Sequence, residues 1–85
     1  MKYKPVIEIL DSIINDRGVP KNIKEAVERA RNALMSKEDE ELKINTAIIT
    51  LDEIANDQNM PLYTRTQIWN AVSLLEQIKA KEKKK

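Results

Sequence analysis

Neither cysteine nor histidine occurs among the 85 residues of this chain. Without cysteine, no disulfide framework or thiolate metal site can reinforce a small core. Without histidine, the commonest general base and the commonest metal ligand are both missing, so ordinary triads, dyads and His-metal chemistries are excluded. No apolar run is longer than Ala47-Ile48-Ile49, far short of the roughly 18 residues that mark a membrane span. Residues Met1 to Pro5 lead directly into an amphipathic pattern broken by Glu8 and Asp11, unlike the continuous apolar region of a signal peptide. These absences predict a cytoplasmic protein with no membrane contact, no bound metal or cofactor and no evident small-molecule substrate.

What the chain does have is duplication. Leu10-Asp11-Ser12-Ile13-Ile14-Asn15-Asp16-Arg17-Gly18-Val19-Pro20 returns as Leu51-Asp52-Glu53-Ile54-Ala55-Asn56-Asp57-Gln58-Asn59-Met60-Pro61, 41 positions later (51 − 10). The match extends through Ile7 with Ile48, Ala30 with Ala71 and Leu34 with Leu75. A repeat of this length is the signature of paired helices that bury a shared face by stacking. The copies span about residues 4–35 and 37–78 of a single domain covering residues 1–85. A domain this short buries only roughly 60 to 65% of its unfolded surface, which leaves no room for a deep cleft beside a full core.

The spacing predicts four helices. Tyr3, Val6, Ile7, Leu10, Ile13 and Ile14 fall on one helical face, giving a first helix from about Lys4 to Asp16. Gly18 stands where a helix C-cap with positive φ is expected, with Asn59 as its counterpart, and Pro20 and Pro61 stop the preceding helices. Asn22 with Glu25, Ser36 with Asp39, and Thr64 with Gln67 have the spacing of capping boxes for the other three helices. The acidic run Glu38-Asp39-Glu40-Glu41 is read as first-turn charge favoured by the helix dipole, in preference to a binding patch. Ile44, Ala47, Ile48, Leu51, Ile54 and Ala55 mark the third helix, and Ile68, Val72, Leu75 and Ile78 the fourth. Past Ala80 only lysine and glutamate remain, so the last turn is expected to fray. The fold class is all-α, a four-helix bundle of two hairpins related by the internal repeat.

The Asp-x-x-[Val/Met]-Pro turn and the Ile/Val-x-x-Ala-x-x-x-Leu helix after it resemble short HEAT-type helical repeats. That likeness implies pairing of Asp16 with Lys24 and of Asp57 with Arg65. A closer resemblance, carried by the duplicated Leu-Asp…Asn-Asp…Pro motif over the whole chain, is to a small uncharacterised archaeal protein family, number 0147 of its series. It implies an all-helical fold and an archaeal cytoplasm, and brings no activity or catalytic residues.

Two polar clusters deserve weighing as metal or acid-base sites: Asp11, Asn15 and Asp16, and Asp52, Asn56 and Asp57. Their helical spacing does not make them converge, and Asp or Asn beside a turn ordinarily accepts hydrogen bonds from loop N–H groups. Carboxylates, lysines, tyrosines and hydroxyls are nowhere assembled into a catalytic site, so the chain is read as non-enzymatic.

The copies differ where it matters more. Glu8, Lys21, Glu28 and Arg31 in the first become Ile49, Leu62, Trp69 and Val72 in the second. These apolar residues either fill the seam between hairpins or, with Met60, form an exposed patch for a second copy or another protein. Charge is also uneven: the net charge is +1, but lysines cluster at Lys79, Lys81, Lys83, Lys84 and Lys85. This tail is read as a solubilising end, with weak, salt-sensitive nucleic-acid contact as the alternative. The leading function is a protein-protein interaction module, a homodimer or accessory subunit, and an RNA-, ribosome- or DNA-associated role through the tail is the runner-up.

Overall fold

Apolar side chains at three- and four-residue spacing give each helix one stripe, and the four stripes meet in one core. The computed structural model describes residues 2–83, with side chains through Lys81. Its helices are α1 (Lys4–Ile14), α2 (Lys21–Leu34), α3 (Glu40–Ala55) and α4 (Leu62–Lys83), and no strand occurs among the described residues. The core takes Val6, Leu10 and Ile13 from α1, Ile23, Val27 and Leu34 from α2, Ile44 and Leu51 from α3, and Ile68 and Leu75 from α4. Burial of each such side chain contributes about 1.5–3 kcal/mol. Ala30, Ala47 and Ala71 are also buried, so small residues let the helices approach closely. Helices α1 and α3 each pack against both α2 and α4.

The turns after α1 and α3 are built alike. The Asp16 and Asp57 amides donate to the carbonyls of Ile13 and Ile54 at 3.1 and 3.0 Å. Their side chains then fold back, Asp16 Oδ1 accepting from the Gly18 amide and Asp57 Oδ1 from the Asn59 amide, both at 2.8 Å. Such carboxylate-to-backbone bonds fix a turn locally. The next residues, Val19 and Met60, plug the core. The carbonyls of Pro20 and Pro61 open α2 and α4, accepting from the amides of Ile23 and Lys24 and of Thr64 and Arg65, all at 3.1 Å.

The second oxygen of each turn aspartate is claimed from the other half of the chain. Tyr63 Oη, at the start of α4, donates to Asp16 Oδ2 at 2.9 Å, and Asn22 Nδ2, at the start of α2, donates to Asp57 Oδ2 at 3.2 Å. Both turns therefore lie at one end of the molecule. Near the start of α3, Tyr3 Oη donates to Glu40 at 2.8 Å, and the Lys43 ammonium sits 5.3 Å from the Tyr3 ring centroid. Hydrogen bonds from Lys2 and then Tyr3 hold the Glu40 carboxyl below its ordinary pKa. Asp11 and Arg31 tie α1 to α2 with a 2.6 Å ion pair.

Several local expectations are corrected. The first helix ends at Ile14, not Asp16, because Asp16 is taken by the turn. No described residue has positive φ, so Gly18 is not a left-handed cap. Its smallness serves a close approach instead: a Cβ there would lie 3.1 Å from Tyr63 Oη and 3.3 Å from Asp16 Oδ1. The capping boxes do not form. Pro20 and Asp39 occupy the N-cap positions of α2 and α3 without side-chain cap bonds. Asn22 is thereby freed to reach Asp57. The Ser36 hydroxyl closes the preceding turn, donating to the Ala33 carbonyl at 2.7 Å and accepting from the Glu38 amide. Thr64 lies inside α4, fully buried, its hydroxyl without a partner. Asp16 and Lys24 form no ion pair, and Arg65 Nη2 donates to the Asp57 backbone carbonyl at 3.0 Å rather than to its carboxylate. Finally, α4 continues through Lys83, because helix propagation is cheap once begun and Lys, Ala and Glu are good helix formers.

Two outcomes are expected. Thr64→Val removes a buried hydroxyl that bonds to nothing and should raise stability by about 1 kcal/mol, measured by denaturant unfolding; a loss of stability would show that the hydroxyl is satisfied. Tyr63 ionises above its ordinary value near 10, first because of its hydrogen bond to Asp16, then because of lost solvation and the nearby carboxylate charge. Its contribution to stability is therefore full below about pH 10 and is lost as pH rises through the elevated folded value. Ultraviolet titration, with Tyr63→Phe identifying the transition, should show Asp16→Asn lowering the Tyr63 midpoint.

Candidate interaction surface

A surface helix in a small soluble protein normally turns its apolar stripe inward and charge outward, and α1 and α2 obey. On α2 the exposed positions are Lys21, Asn22, Glu25, Glu28, Arg29 and Asn32. The corresponding exposed positions on α4 are Leu62, Tyr63, Thr66, Trp69, Asn70 and Ser73. The burial pattern is the same, but not one of the six side chains on α4 is charged, in a chain whose residues are 34% charged. Leu62 and Trp69, seven residues apart, share the face opposite Ile68 and Leu75 and are 73% and 57% exposed.

Helix α3 shows the same doubling. Leu42 and Ile49, also seven residues apart, lie opposite the buried Ile44 and Leu51, and Ile49 is 59% exposed. The two helices of the second half are thus apolar on two faces, one used by the core and one turned outward.

Of the sequence-predicted patch, Ile49, Leu62 and Trp69 are on the surface, and the seam reading fails for these three. Met60 is only 6% exposed and belongs to the core, because the turn after α3 drives it inward as Val19 is driven in the other turn. Val72 is half-buried against the core. Leu42 and Tyr63 were not anticipated; the signal for Leu42 was present, since it lies one heptad before Ile49 on the same face.

The lysine tail offers less. Lys79 is half-buried and Lys81 exposed. The side chain of Lys83 and all of Lys84 and Lys85 lie outside the described residues. The polar clusters do not converge on a metal: Asp11 is engaged by Arg31, Asp16 and Asp57 by their turns, and Asn56 leans on the Asp52 carbonyl. No group of three or more ligating side chains occurs among the described residues, and none of the described helices is long and apolar enough to cross a membrane.

Known proteins match this chain in sequence, and two solved structures match most of its fold. The pattern of the uncharacterised protein family UPF0147 matches residues 1–78. A UPF0147 protein of Methanocaldococcus jannaschii is 53% identical over 77 residues, covering 89% of this chain and 83% of that protein. One of Pyrococcus horikoshii is 45% identical over 80 residues, covering 92% of this chain and 86% of that protein. Among solved structures, a UPF0147 protein from Thermoplasma acidophilum superimposes with a TM-score of 0.86 at 32% identity, covering 91% of this chain and 92% of that one. The crystal structure of MMP1188, a protein of unknown function, gives a TM-score of 0.84 at 45% identity, covering 88% of this chain and 86% of that one. Matched in fold, in length and in sequence from Met1 to Ile78, the chain belongs to the uncharacterised protein family UPF0147.

Proposed function

We propose that this protein is a non-enzymatic interaction module that self-associates through the outer face of its second half. The observation that carries this reading is the run of uncharged exposed positions from Leu62 to Ser73 on α4, centred on Leu62 and Trp69, set against the charged face at corresponding positions of α2. Depletion of charge together with aromatic enrichment is the compositional mark of an interface centre. Contiguous apolar surface left open to water also favours association.

The same reading explains why the halves diverged. Two similar hairpins are supported by the matching turns, by the shared burial pattern and by the reciprocal bonds from Asn22 and Tyr63. If both halves began alike, one kept a solvated exterior and the other exchanged Lys21, Glu25 and Glu28 for Leu62, Thr66 and Trp69. Nothing in the core requires that exchange, since these positions are exposed in both halves. A second copy is the economical occupant, because the face is present on every molecule and a two-fold pairing needs no other gene product.

Trp69→Glu is expected to abolish self-association while leaving helicity intact, since Trp69 makes no core contribution. Sedimentation velocity across a concentration series, with circular dichroism as the control, checks this. A parent protein that stays monomeric, or a variant that associates unchanged, would remove the proposal.

A further inference from the structure

The exposed face of α4 has a pattern of its own. Leu62, Thr66, Trp69, Ser73, Glu76 and Ala80 succeed one another at alternating steps of four and three, and all six are exposed. That is the spacing of a helix-helix seam, running opposite the core stripe of the same helix. Its members alternate in size, and their positions are symmetric about Ala71: Leu62 and Ala80 stand nine residues either side of it, Thr66 and Glu76 five, and Trp69 and Ser73 two.

We infer that two copies of this protein pair through α4 against α4, antiparallel, with the two-fold axis passing beside Ala71. The inference rests on the self-association proposed above and specifies its geometry. About that axis Trp69 of one copy faces Ser73 of the other, and Leu62 faces Ala80. Each bulky side chain thus meets a small one, which is what interdigitation at native density requires. Thr66, whose hydroxyl donates to the Leu62 carbonyl of its own helix at 3.2 Å, faces Glu76, so the seam's one carboxylate meets a neutral side chain. A parallel pairing would instead stack Trp69 on Trp69 and Glu76 on Glu76, spending the complementarity and setting like charges together.

Helix α3 is the competing contact, with its own outward Leu42 and Ile49. Its exposed face also holds Glu41, Asp52 and Glu53, so two α3 helices brought together would oppose carboxylates with no exposed cation between them. From Leu62 to Leu75 the exposed face of α4 has no charge to oppose. The contact therefore falls on α4.

The chain has no cysteine, so single labelling sites can be introduced cleanly at exposed Asn70 and Lys81. In the antiparallel pair, position 70 lies beside the axis and position 81 ten residues from it. At a 1.5 Å rise per residue and an interaxial separation of about 9 Å, the Cα–Cα distances between copies are roughly 10 Å and 30 Å. Nitroxide labels on Asn70→Cys and Lys81→Cys, read by pulsed electron resonance in the full chain, should give a short separation at 70 and one about 20 Å longer at 81. Similar separations at both positions, or long ones at both, would overturn the antiparallel α4 pairing while leaving a dimer standing. A chain that sediments as a monomer and gives no intermolecular distance overturns the pairing and the self-association reading together.

Discussion

Closure of a ring of four short helices around one apolar core is the constraint on which the rest of this molecule depends. No disulfide assists it, and each helix supplies only a few large side chains. The helices must therefore meet closely along their length, and the buried alanines Ala30, Ala47 and Ala71 permit this. The ring leaves each helix one outward face. On α1 and α2 that face is solvated by charge. On α3 and α4 it also exposes Leu42, Ile49, Leu62 and Trp69, and whatever the protein does for its cell is most economically sought there, because the outward face is the one part of those helices that folding does not use.

The polar contacts serve the same closure in a different way. Asp16 and Asp57 each fix their own turn with one oxygen and accept from the opposite half with the other. Exposed side-chain hydrogen bonds of this kind contribute little net stability, because water competes for both partners, so they do not hold the core together. Their value is in register: they set the start of α2 and of α4 against the turns, and so decide which residues of those helices point inward. Had α4 been rotated by one residue, Trp69 would have moved toward the core and Ile68 out of it.

Helix identity and core membership were legible in the sequence because both follow from apolar periodicity, as Leu10, Ile23, Leu51 and Ile68 illustrate. The helix starts were not. Proline carbonyls at Pro20 and Pro61 open α2 and α4 and leave the side chains of Asn22 and Thr64 to other ends, whereas capping-box spacing records only which residue types are suitable. Gly18 misled for a related reason: glycine answers equally to a left-handed backbone and to a crowded one, and here the crowding comes from Tyr63, 45 positions along the chain (63 − 18). For the surface, comparing the two copies singled out Ile49, Leu62 and Trp69 by chemistry, but could not decide whether they faced in or out. Met60 shared their apolar character and went inward because its turn, not its helix, positions it.

The reciprocal bonds at the turn end make the two halves depend on one another. Residues 16 and 63 are 47 apart in the chain, and residues 22 and 57 are 35 apart, yet each pair meets at a single hydrogen bond. Both bonds are exposed, so water takes the place of a lost partner, and what such a loss loosens is the register between the halves. Each half of the chain thus helps to fix where a helix of the other half begins, and neither turn is shaped by its own neighbourhood in the sequence alone.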